Sequence, residues 1–273
     1  MNNQLCPICE QTDYVKVHSF MDYRVEICGE CGHGITLPRL APGELDRLYD
    51  EEYFTDQYEA CLPGEKELQR KKRQEDHRIK VVKKQIAHGK VLDVGCGLGF
   101  FLYACKDRYT PYGFDVSSSN KAYIEQQLGI ELFTDEREVQ EFTEQQGPFD
   151  AVTFWHSLEH FIEPTATLEH FCSLLHDDGV VVIDVPVHDS IDCSMNERKW
   201  EGWQIPYHQH HFSSTSLRQL ISNMGLSIVD EHTYRSGHVY QRLKSKWYLR
   251  PFARSIAKLF RGGSMVVVCK KNR

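Results

Sequence analysis

Apolar residues recur along this chain with two different periods, and the switches between them outline its elements. In "YVKVHSFMDYRVEI", residues 14–27, apolar and polar positions alternate, predicting two short strands around a turn near Met21–Asp22. "LPRLAPGELDRLYDEEYF" then reads as a connector, with two prolines and a short acidic helix from Gly43 to Asp50. Leu68, Ile79, Val82 and Ile86 fall at helical spacing and predict a helix with Pro63 near its first turn and Gly89 at its end. Its "RKKR" run, interrupted by Glu and Asp on both sides, is a solvated face.

From residue 90 the pattern becomes a regular alternation. "KVLDV" is an apolar strand, followed by a Gly-rich turn and the apolar-periodic "FFLYACKD". "PYGFDV", "IELFT", "FDAVTFW" and "GVVVIDVP" read as the next four strands, the last stopped by Pro186. "LSIVDEHTY" and "SMVVVCKK" supply two more, and "STSLRQLISNMG" is a helix capped by Ser213 or Ser214 and ended by Gly225. Strands alternating with helices imply an α/β fold: a doubly wound, seven-stranded, mainly parallel sheet with ligands at the carboxyl ends of its strands.

Composition narrows the class. With 41% hydrophobic and 26% charged residues, 273 residues can bury one good-sized core and a small appendage. No apolar run reaches about 18 residues, so no spanning helix is expected. "MNNQLCPICE" lacks the basic and apolar regions of a secretory signal. Four of the ten cysteines are paired as CxxC and the rest are scattered, which suggests a reducing, cytoplasmic setting.

The net charge of −7 is unevenly distributed. Residues 1–60 carry four Lys/Arg against twelve Asp/Glu, whereas residues 235–273 carry eleven Lys/Arg and no acid. The acidic front makes nucleic acid an unfavourable main partner, and the basic tail requires an anionic counterpart.

"CPIC" (Cys6, Cys9) and "CGEC" (Cys28, Cys31) form two CxxC knuckles whose thiolates can complete a tetrahedral set around zinc. Four soft ligands close the shell, so a structural zinc ribbon over residues 1–37 is expected. The competing redox dithiol lacks a βαβ context here. Residues 38–62 are the connector and 63–273 the second domain.

In "KVLDVGCGLGFF", Gly95, Gly97 and Gly99 follow Asp93 at two-residue steps. A dinucleotide fingerprint places its third glycine where Phe100 stands, which weakens a pyrophosphate reading. Asp93 suits a cationic or ammonium ligand, and the glycines at 95 and 97 let backbone approach an adenosyl group. Asp115, about twenty residues on, can accept both ribose hydroxyls. Its competing reading is an N-cap before "SSSN".

Together "VLDVGCGLG", "GFDVS", "FDAVTFWHSLEHF", "DGVVVIDVP" and "GGSMVVVCKK" resemble class I S-adenosylmethionine-dependent methyltransferases over residues 80–273. The match is to the small-molecule branch (types 23 and 12), with LEH after strand four and P-x-H…FS after strand five. A Cys-rich ribbon ahead of such a domain is also similar to sugar C-methyltransferases of deoxysugar pathways, which are usually longer at the C-terminus. The resemblance implies that Asp93, Gly95 and Gly97 hold the methionine end of S-adenosylmethionine and that Asp115 binds its ribose. It places "TDEREV", with Asp135, along the adenine, and has Trp155 and His156 flank the cofactor or wall the acceptor pocket. The implied acceptor is a small molecule: a sugar, a glycan or a secondary-metabolite precursor. A non-catalytic binding module on the same fold and an rRNA methyltransferase are the alternatives. The intact Asp93–Gly97 motif argues against the first and the acidic ribbon against the second.

Methyl transfer needs alignment, plus a base where the nucleophile must lose a proton. "HSLEH" puts His156, Glu159 and His160 at spacings of three and four, so they can share a face. In related quinone and RNA methyltransferases a similar motif with Glu first binds a divalent metal. Here His156 stands first, and a second metal held with His208 stays open beside a role in orienting the loop. In "WQIPYHQHHFSS", His208 matches the P-x-H position and is the first candidate base, with His156 next. His211 reads as structural and His210 as solvent-facing, while "ERKWEGWQIPY" resembles an acceptor-binding lid. In residues 240–261, Leu243, Trp247, Phe252, Ile256, Leu259 and Phe260 recur at helical steps among Lys and Arg. That stretch is either a lid packed over the acidic domain or a contact with anionic lipid or a phosphorylated acceptor.

Overall fold

A computed structural model of the protein describes residues 5–41, 43–44 and 64–272; most of the connector, including Pro63 and all but the first two residues of the helix expected from Gly43 to Asp50, lies outside them. Among the described residues the chain forms β1 (Tyr14–Phe20), β2 (Tyr23–Cys28) and β3 (Gly34–Leu37), then α1 (Glu65–Gln74) and α2 (Asp76–Lys83). Strands and helices then alternate through β4 (Lys90–Val94), α3 (Phe100–Cys105), β5 (Thr110–Phe114), α4 (Lys121–Tyr123), β6 (Glu131–Phe133), α5 (Glu136–Gln146), β7 (Phe149–Trp155), α6 (Pro164–Ser173) and β8 (Leu175–Pro186). After these come α7 (Ile191–Asn196), β9 (His210–His211), α8 (Ser214–Asn223), β10 (Leu226–Arg235), α9 (Gly237–Lys244), α10 (Ala253–Ala257) and β11 (Arg261–Lys271).

The larger sheet has seven strands in the order β10-β11-β8-β7-β4-β5-β6. The pairs β4–β5, β4–β7 and β5–β6 are parallel, while β10–β11 is antiparallel. Val91, Leu92 and Val94 of β4 are fully buried, as expected of an apolar strand covered on both faces. Strands β5 and β6 lie to one side of β4, whereas β7 and β8 lie to the other. The crossovers therefore reverse at β4–β7, the switch point where such sheets bind ligands.

The chain divides into two compact units. One holds residues 40–157 and 168–182. Its core includes Leu98 and Leu102 at α3, Tyr123, Ile124 and Leu128 after β5, and Leu132 of β6, joined by Leu68 of α1. The helix predicted over residues 63–89 is instead two helices meeting at Glu75, which caps the end of α1 and the start of α2. The Glu75 N–H bonds back to Lys72 O at 3.1 Å, a tightened last turn where no apolar stripe holds the helix straight.

The other unit holds residues 1–39, 158–167 and 183–272. The β1–β2 hairpin turns at Met21–Asp22 as predicted, but it belongs to a four-stranded sheet, β1-β2-β3-β9. His210 and His211, expected in a loop, are strand residues paired with Ile35 and Gly34, and both are buried, which corrects the solvent-facing reading of His210. Trp200 and Trp203, expected in an acceptor lid, pack with Val25, Ile27 and Cys193 in the core beneath this sheet. Ser213 caps α8 through a capping box with Ser216. Of the tail's large apolar residues, Trp247, Phe252, Leu259 and Phe260 are exposed and Leu243 and Ile256 half-buried, while Ala253 and Ala257 are buried.

Candidate cofactor site and metal centre

The turn after β4 has left-handed backbone at Gly95 (φ +74°), Gly97 (φ +53°) and Gly99 (φ +71°), a conformation L side chains rarely adopt. A Cβ on Gly95 would stand 2.5 Å from Ser157 Cβ. That close approach lets the Ser157 hydroxyl donate to Val94 O at 2.5 Å, tying the end of β7 to the end of β4. Gly95 N–H donates to Phe114 O at 2.7 Å, and Gly97 N–H to Asp115 Oδ2 at 2.9 Å. The other carboxylate oxygen of Asp115 accepts from Ser117 N–H at 3.0 Å. Asp115 thus ties its own loop to the glycine turn after β4.

Asp93, opposite Thr153 in the β4–β7 register, accepts the Thr153 hydroxyl at Oδ1 over 2.7 Å. Burial pushes the Asp93 carboxyl up to about 7, with the Thr153 hydrogen bond opposing the rise. Burial likewise raises Asp115 to about 6, against the N–H groups of Gly97 and Ser117. Two carboxyl groups held at this cost suit a ligand bringing a cation to one and hydrogen-bond donors to the other.

Trp155 ends β7, buried against Phe101 with ring centroids 5.4 Å apart and under the Arg78 guanidinium at 5.2 Å. Its Nε1, like Asn120 Nδ2, is a buried donor with no acceptor among the described residues. Asn120 escaped the sequence reading; its signal is its place on the turn Ser118–Asn120 soon after Asp115. Asp135 has a local role, capping α5 by accepting Arg137 N–H at 2.8 Å and pairing with the Arg137 guanidinium at 2.8 Å. The glycine cradle, the raised carboxyls and the two buried donors fit a compact cationic nucleoside such as S-adenosylmethionine.

His156 follows Trp155 with φ +56° and is exposed. Glu159, His160 and His208 form a cluster whose ligand atoms all lie within 4.8 Å of one another, and His156 is not a member of it. His208 is buried, its Nδ1 2.9 Å from Gly202 O and its Nε2 3.9 Å from Glu159 Oε1. The His160 ring meets it edge-on at 4.5 Å, and His160 Nδ1 lies 3.2 Å from Tyr207 O. Both histidines therefore donate from Nδ1 to carbonyls, which fixes their rings, an arrangement suited to a base or a ligand.

In the N-terminal turns and at the end of β2, Cys6, Cys9, Cys28 and Cys31 bring their Sγ atoms within 4.8 Å of one another. Cys6–Cys31 and Cys9–Cys28 are each 3.5 Å apart, near the ~3.8 Å edge of a tetrahedron built on zinc–sulfur bonds of about 2.3 Å. The knuckles are backbone turns, Glu10 N–H to Cys6 O at 2.9 Å and Gly32 N–H to Cys28 O at 3.0 Å. The four thiols fit a structural zinc and leave no position for a substrate. In the same unit, His210 Nε2 lies 3.0 Å from both the Arg39 guanidinium and Ile162 O, and its Nδ1 shares a hydrogen bond with His33 Nε2 at 2.9 Å. Burial holds His210 near 3, so it is a neutral structural strut.

A family model described as a methyltransferase domain matches residues 65–231. Among solved structures, magnesium protoporphyrin IX methyltransferase from Synechocystis PCC 6803 with bound SAH is similar at 13% identity, with 85% of this chain and 100% of that one covered and a TM-score of 0.55. The same enzyme with bound SAM gives 14% identity, 86% and 99% coverage and a TM-score of 0.51. A Bacillus halodurans C-125 protein provisionally assigned as a methyltransferase gives 16% identity, 72% and 98% coverage and a TM-score of 0.50. No curated protein sequence matches the chain.

Proposed function

The chain belongs to the methyltransferase-domain family and is a class I S-adenosylmethionine-dependent methyltransferase; from that premise we propose that it methylates a sugar, a glycan or a secondary-metabolite precursor. The observation that carries the cofactor assignment is the hydrogen bond from the left-handed Gly97 to the buried Asp115, beside a buried Asp93.

When bound, S-adenosylmethionine supplies an electrophilic methyl group on a cationic sulfonium. Asp93 holds the ammonium of its methionine end, which discharges the cost of burying a carboxylate at the end of β4. Gly95 and Gly97 let backbone approach where a side chain would intrude. Asp115 accepts from the ribose hydroxyls while keeping its bonds to Gly97 and Ser117. Trp155 and Asn120 offer Nε1 and Nδ2 as donors and help exclude water. In-line displacement needs alignment above all, and this cradle provides it.

His208 takes the acceptor's proton at Nε2, with its ring fixed through Nδ1 to Gly202 and flanked by Glu159. His156, the exposed histidine at the end of β7, is the second candidate. The four N-terminal cysteines hold a structural zinc. Support for a sugar acceptor comes from the combination of a Cys-rich ribbon with this domain.

Isothermal titration with S-adenosylmethionine tests the cofactor assignment: a saturable heat at one site per chain is expected, and no heat at millimolar ligand overturns it. Incubating the protein with nucleotide sugars and labelled cofactor tests the acceptor class, which transfer of label only to non-sugar metabolites would refute.

A further inference from the structure

We propose that residues 237–261 dock this protein on the surface of an anionic lipid bilayer. The inference rests on the surface of this segment and is independent of the acceptor's identity.

The segment is amphipathic in the reverse sense. A helix that packs as a lid buries its large apolar residues and exposes its small and charged ones. Here α10 buries Ala253 and Ala257, whereas Trp247 is 84% exposed, Phe252 61% and Leu259 82%. Tyr248 and Phe260 are exposed as well, and every exposed Trp, Tyr or Phe among the described residues lies between Trp247 and Phe260. The other exposed large apolar side chains, such as Val15, Val116 and Val229, are aliphatic and scattered along the chain. A local concentration of this kind marks an interaction surface.

Charge selects the partner. Arg242, Lys244, Lys246, Arg250, Arg254, Lys258 and Arg261 are all exposed, and the segment contains no Asp or Glu. Arg261 lies 3.5 Å from Asp189, but among the described residues no carboxylate pairs with the other six. Seven like charges interleaved with Trp, Tyr, Phe and Leu repel one another in water. An anionic bilayer meets both halves of the pattern, with lipid phosphates for the cations and the headgroup–acyl boundary for the rings and Leu259. A polyanion such as RNA would satisfy the charges and stack on the rings, but it offers Leu259 no apolar environment.

Flotation of the full-length protein with vesicles tests the proposal. Expected is flotation with phosphatidylglycerol/phosphatidylcholine vesicles at low salt, release at high salt, and none with pure phosphatidylcholine. The exposed-site variant Trp247→Ser/Phe252→Ser/Leu259→Ser should lose flotation with an unchanged circular dichroism spectrum. Lys246→Gln and Arg250→Gln should each weaken partitioning about fivefold. The proposal is overturned by absence of binding to the anionic vesicles at low salt, by equal binding to neutral ones, by undiminished flotation of the triple variant, or by single-stranded RNA displacing the protein from the vesicles.

Discussion

The backbone N–H of Gly97 donates to Oδ2 of Asp115 at 2.9 Å, so the glycine turn after β4 and the end of β5 are held by one side chain. Because Asp115 Oδ1 also accepts from Ser117 N–H, both of its oxygens are committed before any ligand arrives. Asp115→Asn places an NH2 against one of these two N–H groups and removes the charge. The expected result is at least a tenfold rise in the Kd for S-adenosylmethionine and a loss of about 1–3 kcal/mol in stability. Calorimetric titration and thermal unfolding read both, and unaltered affinity would show that Asp115 serves the loop alone.

The raised carboxyls give binding a defined pH dependence. Asp93 sits near 7 and Asp115 near 6, both above the ordinary carboxyl range because of burial. Between the unfolded value near 4 and these folded values, the native state binds more protons than the unfolded chain. Their contribution to stability is therefore complete at acid pH and is lost as pH rises through 6 and 7. A cationic ligand favours the ionised forms, so affinity should fall as pH drops from 7.5 to 5.5, with protons released on binding. Titrations in buffers of different ionisation enthalpy measure that release. Proton uptake would contradict a cation seated against Asp93.

How much of this was legible beforehand follows from what each feature depends on. The succession of strands along the chain and the glycine turn with Asp93 and Asp115 beside it rest on local spacing, which a sequence carries openly. The β3–β9 pairing does not: His210–His211 is a two-residue strand that exists only because Gly34 and Ile35 lie opposite. Trp200 and Trp203 share a core with Val25 and Ile27, residues distant in the chain, so their lid-like pattern gave no hint of burial. Glu75 breaks a helix without Gly or Pro, and Asn120 carries no motif.

The four thiols make a metal prediction. With Sγ pairs 3.5 Å apart and turns already formed by backbone bonds, the protein should carry one zinc per chain. Release by a thiol-modifying reagent followed by a chromogenic chelator counts it. Cys9→Ser should lower the retained zinc and the midpoint of thermal unfolding, since the metal's binding energy is folding energy. Affinity for S-adenosylmethionine at a temperature where the fold persists should be unchanged. Full stability after complete metal removal would argue against a structural zinc.

The last prediction separates two histidines. His208 is buried, with Nδ1 bound to Gly202 O at 2.9 Å and Nε2 3.9 Å from Glu159 Oε1. His156 is exposed, and its φ of +56° is a conformation uncommon outside glycine. A base contributes to the chemical step and little to cofactor binding, so His208→Ala should lower kcat by about 10²–10⁴-fold while leaving the Kd for S-adenosylmethionine unchanged. His208→Gln keeps a polar side chain of similar reach but cannot accept a proton at neutral pH, and it should be equally slow. If His208→Gln turns over at the native rate and His156→Gln does not, the base is His156, and His208 serves only to pack Gly202 against Glu159.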